Sequence, residues 1–310
     1  MIAIEHSAMA AGYARDGYLL LRSAVPEAML AGLQAVIERH VHRYAEELVA
    51  AGKAAELHAE APFDRRLAAI CEGSGVSIRK WHAFLFCREM HALASTPAIV
   101  DALSALLGPE VTFHGDYQLT PKLPGSKPTA FPWHQDTQYY GVPSRHMHVV
   151  TAWVPLVDAD EENGCLWVMP GSHRWGLLDA VRGADLNFQP RENIERLGQA
   201  IPMPMRRGDV LLLGNFTFHA SRVNRSRGVR WSVDLGYSAT PGSRDLDEDE
   251  AASYRYLYGN LPRVGRTQLV VRSIDRSREQ TWEDWLEQRT AQLRQFAVPP
   301  HSGLRPRARA

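Results

Sequence analysis

Residues 26–52, PEAMLAGLQAVIERHVHRYAEELVAAG, place Met29, Leu33, Val36, Ile37, Val41, Tyr44 and Leu48 at three- and four-residue spacings between Pro26 and Gly52. An apolar stripe of that period, opened by proline and stopped by glycine, predicts an amphipathic helix. Ile99 to Leu107, ahead of Gly108-Pro109, predicts a shorter helix, and residues 17–25, GYLLLRSAV, a short strand. The N-terminal third is therefore expected to be mostly helical. From Glu110 the period changes to β-branched and aromatic runs, VTFHGDYQLT, HVVTAWVPLV, CLWVMPG, DVLLLGNFTFHASRV and VRWSVDLGYSA, broken by Pro, Gly, Asn and Asp. Short strands at this spacing indicate a sandwich or barrel. The tract Val149 to Val154 has the texture of a strand buried on both faces, which requires helices packed against one sheet.

After Tyr237 come the acidic run DLDEDE (245–250), a Tyr-rich stretch and a helix expected near 281–296. No internal repeat, low-complexity linker or dinucleotide-binding glycine motif divides the chain. The expectation is one domain over 1–296, mainly β with a helical flank and a core at about 110–240, followed by a flexible tail at 297–310. The stretch 179–202, long, polar and weakly periodic, is a candidate lid.

Composition removes whole classes of function. With 35 Lys+Arg against 35 Asp+Glu in 310 residues, the chain has no electrostatic handle on a nucleic acid or an anionic membrane surface. Three cysteines without a C-x-x-C pair argue against a disulfide framework or a zinc ribbon and favour a reducing compartment. The N-terminus lacks a basic region followed by an apolar one, and the apolar runs fall short of the ~20 residues of a spanning helix. A soluble, cytoplasmic protein, monomer or homodimer, is expected. The excess of arginine over lysine reflects base composition.

Candidate chemistry is concentrated in Phe131-Pro132-Trp133-His134-Gln135-Asp136. In an extended segment His134 and Asp136 project from one face, so an imidazole and a carboxylate meet one ion. His219, ending the apolar run from Leu211, is the candidate third ligand. Two His and one carboxylate on one side of an ion leave the opposite positions open, the facial arrangement of non-heme Fe(II) oxygenases, although the same donors suit Zn(II) or Mn(II). The rival His146-Met147-His148 lacks a carboxylate and is taken as barrel-rim polar residues. His82, His91, His114 and His173 are taken as structural or surface histidines. Arg230, on the strand after His219, needs an anionic partner inside a β-rich core. A small carboxylate would provide it through the guanidinium fork, with a salt bridge to Asp234 as the structural alternative. Ser221 would face the same side as His219.

These pieces together resemble the phytanoyl-CoA dioxygenase (PhyH-like) family of Fe(II)- and 2-oxoglutarate-dependent oxygenases. The resemblance runs from Tyr13 to about Tyr237. It rests on Tyr13-Ala14-Arg15-Asp16-Gly17-Tyr18 with Val25-Pro26, on His134-Gln135-Asp136, on Asn163-Gly164-Cys165-Leu166-Trp167-Val168-Met169-Pro170-Gly171-Ser172-His173, on Arg207-Gly208-Asp209-Val210, and on His219-Ala220-Ser221 with Asn224 and Arg230. It implies a double-stranded β-helix (jelly-roll, cupin-like) core with N-terminal helices on its major sheet. The implied metal ligands and catalytic residues are His134, Asp136 and His219, with Arg230 and Ser221 holding the far carboxylate of 2-oxoglutarate. The implied activity is hydroxylation of an unactivated C–H bond in a small organic molecule, such as a natural-product or secondary-metabolism intermediate, with Fe(II), 2-oxoglutarate and O2, and ascorbate as reductant in vitro. Asp136 disfavours halogenation; desaturation, ring closure and epoxidation use the same ligands.

Around this centre Gln118 and Thr151 are candidates for cosubstrate contacts. Gln135, Tyr139, Tyr140, Trp153 and Lys122 are candidates for substrate contacts, and Trp231 is expected beside Trp153 at the barrel mouth. His173 is assigned to a tight turn. Competing readings are a Zn- or Mn-dependent cupin-like lyase or hydrolase, and a non-catalytic metal-binding module.

Overall fold

The computed structural model describes residues 2–76, 78, 81, 85–184, 186–243 and 245–295. His82 and the expected C-terminal tail lie outside the described residues. Among the described residues, five α-helices fill most of the first third: α1 (Ile2–Asp16), α2 (Glu27–Ala50), α3 (Phe63–Cys71), α4 (Arg88–Ala94) and α5 (Pro97–Leu107). Helix α2 starts where Pro26 sits at the N-cap, and it buries Leu30, Leu33, Val36, Ile37, Val41, Ala45 and Leu48, the stripe its period demands. Helix α5 opens on Pro97 and stops at Gly108, whose φ of 103 is costly for a side chain. Among the described residues no single helix is long and apolar enough to cross a membrane.

Strand β1 (Tyr18–Leu21) and strands β2 (Val111–Lys122) to β11 (Leu269–Arg272) form three sheets. The largest has the order β1-β8-β3-β10-β2-β11, every neighbouring pair antiparallel, with β3 at Val149–Pro155, β8 at Val210–Gly214 and β10 at Arg230–Ala239. Strands β7 (Ile201–Met203), β4 (Leu166–Val168) and β9 (His219–Ser221) make the facing sheet. The segment before α6 (Thr137–Tyr140) extends it, because His134 bridges His219 and Ser221 donates its amide to Phe131 O. This is the antiparallel jelly-roll with a helical flank that the family resemblance implied, where the strand pattern alone indicated a sandwich or barrel.

The alternation of β10 and β2 explains how one sheet serves two purposes. Their register pairs Arg230 with Lys122, Ser232 with Thr120 and Asp234 with Gln118 on one face. The interleaved Trp231, Val233 and Leu119 join Val150, Ala152 and Val154 of β3 and the apolar stripes of α2, α3 and α5 in one core. Polar residues thus point between the sheets, while the apolar face is covered by helices. Trp231 belongs to the covered face: it stacks on Phe63 at 5.1 Å and donates its indole N–H to Phe63 O. Its expected place at the barrel mouth is incorrect, since it lies one residue out of phase with the inward-facing Arg230 and Ser232.

The stretch 179–202 is more ordered than its weak period suggested. It contains a hairpin, β5 (Ala180–Arg182) with β6 (Phe188–Pro190), a short 3-10 turn and β7, elements of three residues each. The acidic run at 245–250 marks a helix start: Asp247 accepts from the Glu250 amide at the head of α7 (Glu248–Asn260), with acids in its first turn. Helix α8 (Trp282–Gln295), expected near 281–296, docks through the buried Trp285.

Candidate metal centre

The backbones of His134 and His219 exchange both hydrogen bonds, at 3.0 and 3.1 Å, so the two imidazoles leave adjacent strands on the same side, 4.2 Å apart at their ring centroids. Asp136 arrives differently from the extended geometry expected of H-x-D. It has helical angles, φ −60 and ψ −32, at the head of α6. The turn is anchored by the Thr137 amide and hydroxyl, both donating to Asn215 O. Asp136 Oδ1 comes to 3.8 Å from His134 Nε2 and 3.6 Å from His219 Nε2. All three donor atoms lie within 4.8 Å of one another.

Each partner is held from behind. His134 Nδ1 is 2.7 Å from Pro132 O, and His219 Nδ1 is 3.0 Å from Thr217 O. A carbonyl only accepts, so each Nδ1 carries its hydrogen and each Nε2 presents a lone pair to the shared point. Thr151 donates its hydroxyl to Asp136 Oδ2 at 2.6 Å, which leaves Oδ1 facing the imidazoles. Two neutral imidazoles and one carboxylate without thiolate fit a divalent first-row ion bound facially.

The triad opens into a cavity of ≈ 260 Å³ between the sheets. At one end lies Arg230, buried to 2% exposure, its Nη1 donating to Ser232 Oγ at 2.7 Å and its guanidinium carbon 5.1 Å from the Trp153 ring centroid. Burial lowers its pKa to about 10, so it stays charged at neutral pH. Its Nε is buried without a hydrogen-bond partner, and among the described residues no carboxylate lies within ion-pair distance of it, so the Asp234 salt bridge is not formed. Arg230 lines the cavity, and a buried guanidinium without a carboxylate partner is able to take an anion there.

Ser221 stands beside it. Lys122 Nζ and the Phe131 amide donate to Ser221 Oγ at 2.8 and 3.3 Å, and the hydroxyl itself donates to Thr129 O at 3.5 Å. Lys122 is thus not a substrate contact: it is fully buried behind Ser221 and also donates to Arg222 O at 2.6 Å. Burial, reinforced by the cation of Arg230, lowers its pKa to about 6. Gln135 is displaced from its expected role as well. Lying between two ligands, it points the opposite way, donating to Gly176 O and Phe216 O and accepting from the Leu178 amide.

Gln118, Thr151, Tyr139, Tyr140 and Trp153 do line the cavity. Tyr139 meets the His134 ring edge-on at 5.3 Å and accepts the Phe188 amide from the hairpin at 3.2 Å. His173 contacts Ala14 O at 3.0 Å, a structural place. The rival pair does not converge: His148 contacts Tyr13 Oη at 3.1 Å, while the exposed His146 accepts from Arg145. Sequence reasoning missed Asp116, Thr120 and Arg266. The first two continue the period of two set by Gln118, a usable signal, whereas Arg266 arrives from beyond β10 with none.

Comparison with known proteins agrees with this geometry. The chain is 26% identical over 157 residues to "Phytanoyl-CoA dioxygenase, peroxisomal" of Bos taurus, covering 48% of this chain and 46% of that protein. The chain thus spans about half the length of that relative. It is 25% identical over 248 residues to "Ectoine dioxygenase" of Bordetella parapertussis, covering 73% of each. The crystal structure of EctD from S. alaskensis in its apoform superposes with a TM-score of 0.51 at 25% identity, covering 79% of this chain and 80% of that one. Residues 13–232 match the family described as Phytanoyl-CoA dioxygenase (PhyH), and the chain belongs to that family.

Proposed function

We propose that this protein is a non-heme Fe(II)- and 2-oxoglutarate-dependent dioxygenase that hydroxylates a C–H bond of a small organic molecule. The observation that carries the reading is the coexistence, in one cavity, of the His134–Asp136–His219 donor set and the buried Arg230 guanidinium, which has no carboxylate partner among the described residues. A Lewis-acid lyase or hydrolase needs the first but has no use for the second.

Bound at this donor set, Fe(II) supplies the redox chemistry by which O2 converts 2-oxoglutarate to succinate and CO2 and places one oxygen atom in the substrate. The chain's own residues arrange the reactants. Arg230 and the Ser221 hydroxyl take the far carboxylate of the keto acid, and Trp153 flanks that guanidinium. Thr151 fixes which Asp136 oxygen faces the ion. The presence of Asp136 keeps a position filled that a halide would otherwise take, which favours hydroxylation.

Purified protein supplied with Fe(II), ascorbate and 2-oxoglutarate is expected to release succinate slowly without added substrate, and His134→Ala to stop it. Iron binding without succinate would overturn the proposal.

A further inference from the structure

The cavity is asymmetric in charge. Its Arg230 end presents donors, while the opposite end carries an ion pair that takes no part in holding the metal: Arg266 Nη2 lies 2.7 Å from Asp116 Oδ1, and both residues line the cavity. Asp116 side-chain exposure is 10% and that of Arg266 is 31%, which places the pair at the mouth. Both side chains line the cavity and stay partly exposed, so the Asp116 carboxylate and the Arg266 guanidinium each keep hydrogen-bonding capacity beyond the pair. Gln118, two residues from Asp116 on β2, adds a buried amide oxygen with no partner. The keto acid offers only acceptors there, so an open acceptor calls for a donor on another ligand.

The backbone is shaped to make this pair. Gly115 has φ +68, and a Cβ there would stand 2.2 Å from Thr267 O, so only glycine lets the 266–267 segment approach β2. Opposite it, the β10–β2 register shifts between Leu235 and Tyr237, a bulge of the kind that re-aims side chains next to active sites. On the same strand Gly236 leaves room for Tyr140, whose hydroxyl would lie 2.8 Å from an added Cβ. Two glycines and a bulge thus position one carboxylate and one guanidinium side by side.

We infer that the Asp116–Arg266 pair recognises a compact zwitterionic substrate, an amino-acid-type molecule whose protonated amine meets Asp116 and whose carboxylate meets Arg266. A cation alone or an anion alone would face a pair already neutralised, whereas a zwitterion complements both halves at once. The cavity, ≈ 260 Å³ and shared with the keto acid, is below the roughly 300–1,000 Å³ of sites for drug-sized ligands, so the reacting part is small. This inference rests on the function proposed above.

Two measurements on the full chain separate the two proposals. In the first, protein loaded with Mn(II) and 2-oxoglutarate is titrated calorimetrically with the common L-amino acids, their N-acetyl and methyl-ester forms, and octanoyl-CoA. At least one free amino acid is expected to bind, and acetylation or esterification to weaken it about tenfold or more. In the second, iron-loaded protein is assayed for succinate with the same compounds, and the binding amino acid is expected to stimulate release about tenfold or more. Asp116→Asn should narrow the discrimination against the N-acetyl form, and Arg266→Gln the discrimination against the ester. A merely structural pair would weaken all forms alike. Binding by no free amino acid, preference for octanoyl-CoA, or uniform weakening in both variants overturns the inference. Absence of succinate under every condition overturns the oxygenase reading instead, and the Mn(II) titration still decides recognition.

Discussion

At the scale of single residues, the ligand set is less informative than what stands behind it. Thr151 donates to the Asp136 oxygen that faces away from the ion site, and partners in that position commonly contribute 10–100-fold in metal affinity. Thr151→Val, nearly isosteric, is therefore expected to weaken Fe(II) binding by about 10–100-fold in a competition titration with a chelator, with little change in melting temperature. Lys122 makes a second prediction. Its pKa is lowered to about 6 in the folded protein against about 10.4 in an unfolded chain, so between those values the unfolded state holds a proton that the folded state does not. Stability then rises with pH, by up to about 1.4 kcal/mol per unit. His40 and His114, lowered to about 4 and 3, act the same way only at more acidic pH. Chemical denaturation of the metal-free protein from pH 7 to 8.5 should show the slope, and Lys122→Met should flatten it; an unchanged slope would assign it to other groups. The ligands themselves were legible, because H-x-D and a distal histidine are local motifs. The roles of Gln135 and Lys122 were not, because residue type shows neither phase nor what lies behind a neighbour.

At the scale of elements, legibility followed length. Strands β2, β3, β8 and β10 have enough residues to show their period, and α2 enough turns to show its stripe. Elements of three residues, as in β5, β6 and β7, carry no period, and so 179–202 read as an irregular insertion. Its hairpin reaches the site through one side chain: Tyr139, packed edge-on at 5.0 Å against Phe188, sits in turn on the His134 ring. We propose that the hairpin is the lid foreseen for this stretch. Deleting residues 186–193 is expected to lower substrate-coupled product formation at least several-fold while substrate-free succinate release continues. Equal loss of both activities would show that the hairpin supports the metal centre and does not cover it. The C-terminal elements α7 and β11 were the hardest to foresee, since they lie beyond the motifs and their job is to carry the 266–267 segment to the bulge at Gly115.

At the scale of the whole molecule, the opening DGY signature and the Pro-Gly-Ser-His turn lie far apart in sequence and meet in space. Gly17 has φ +80, and a Cβ there would be 2.4 Å from His173 Nδ1 and 2.5 Å from Thr217 Oγ1. Its carbonyl accepts the Gly214 amide at 3.0 Å and the Thr217 hydroxyl at 2.6 Å. Thr217 O in turn fixes the His219 ring. The N-terminal segment is therefore tied through two hydrogen bonds to a metal-ligand tautomer two hundred residues later, which gives a physical reason for these motifs to occur together. Gly17→Ala has to clash with both neighbours or shift the Gly17 carbonyl. A cost of about 2 kcal/mol or more is expected, combining the positive φ with the steric conflict. Because the shift propagates to Thr217, Fe(II) affinity should fall with stability, whereas a mutation of comparable cost on the helical face, such as truncating the buried Ile37 to Ala in α2, at about 2–5 kcal/mol, should leave affinity unchanged. Thermal unfolding and a chelator competition on the two variants decide the matter: if Gly17→Ala lowers the melting temperature but binds iron like the parent protein, the clasp only staples the N-terminus and does not tune the metal centre.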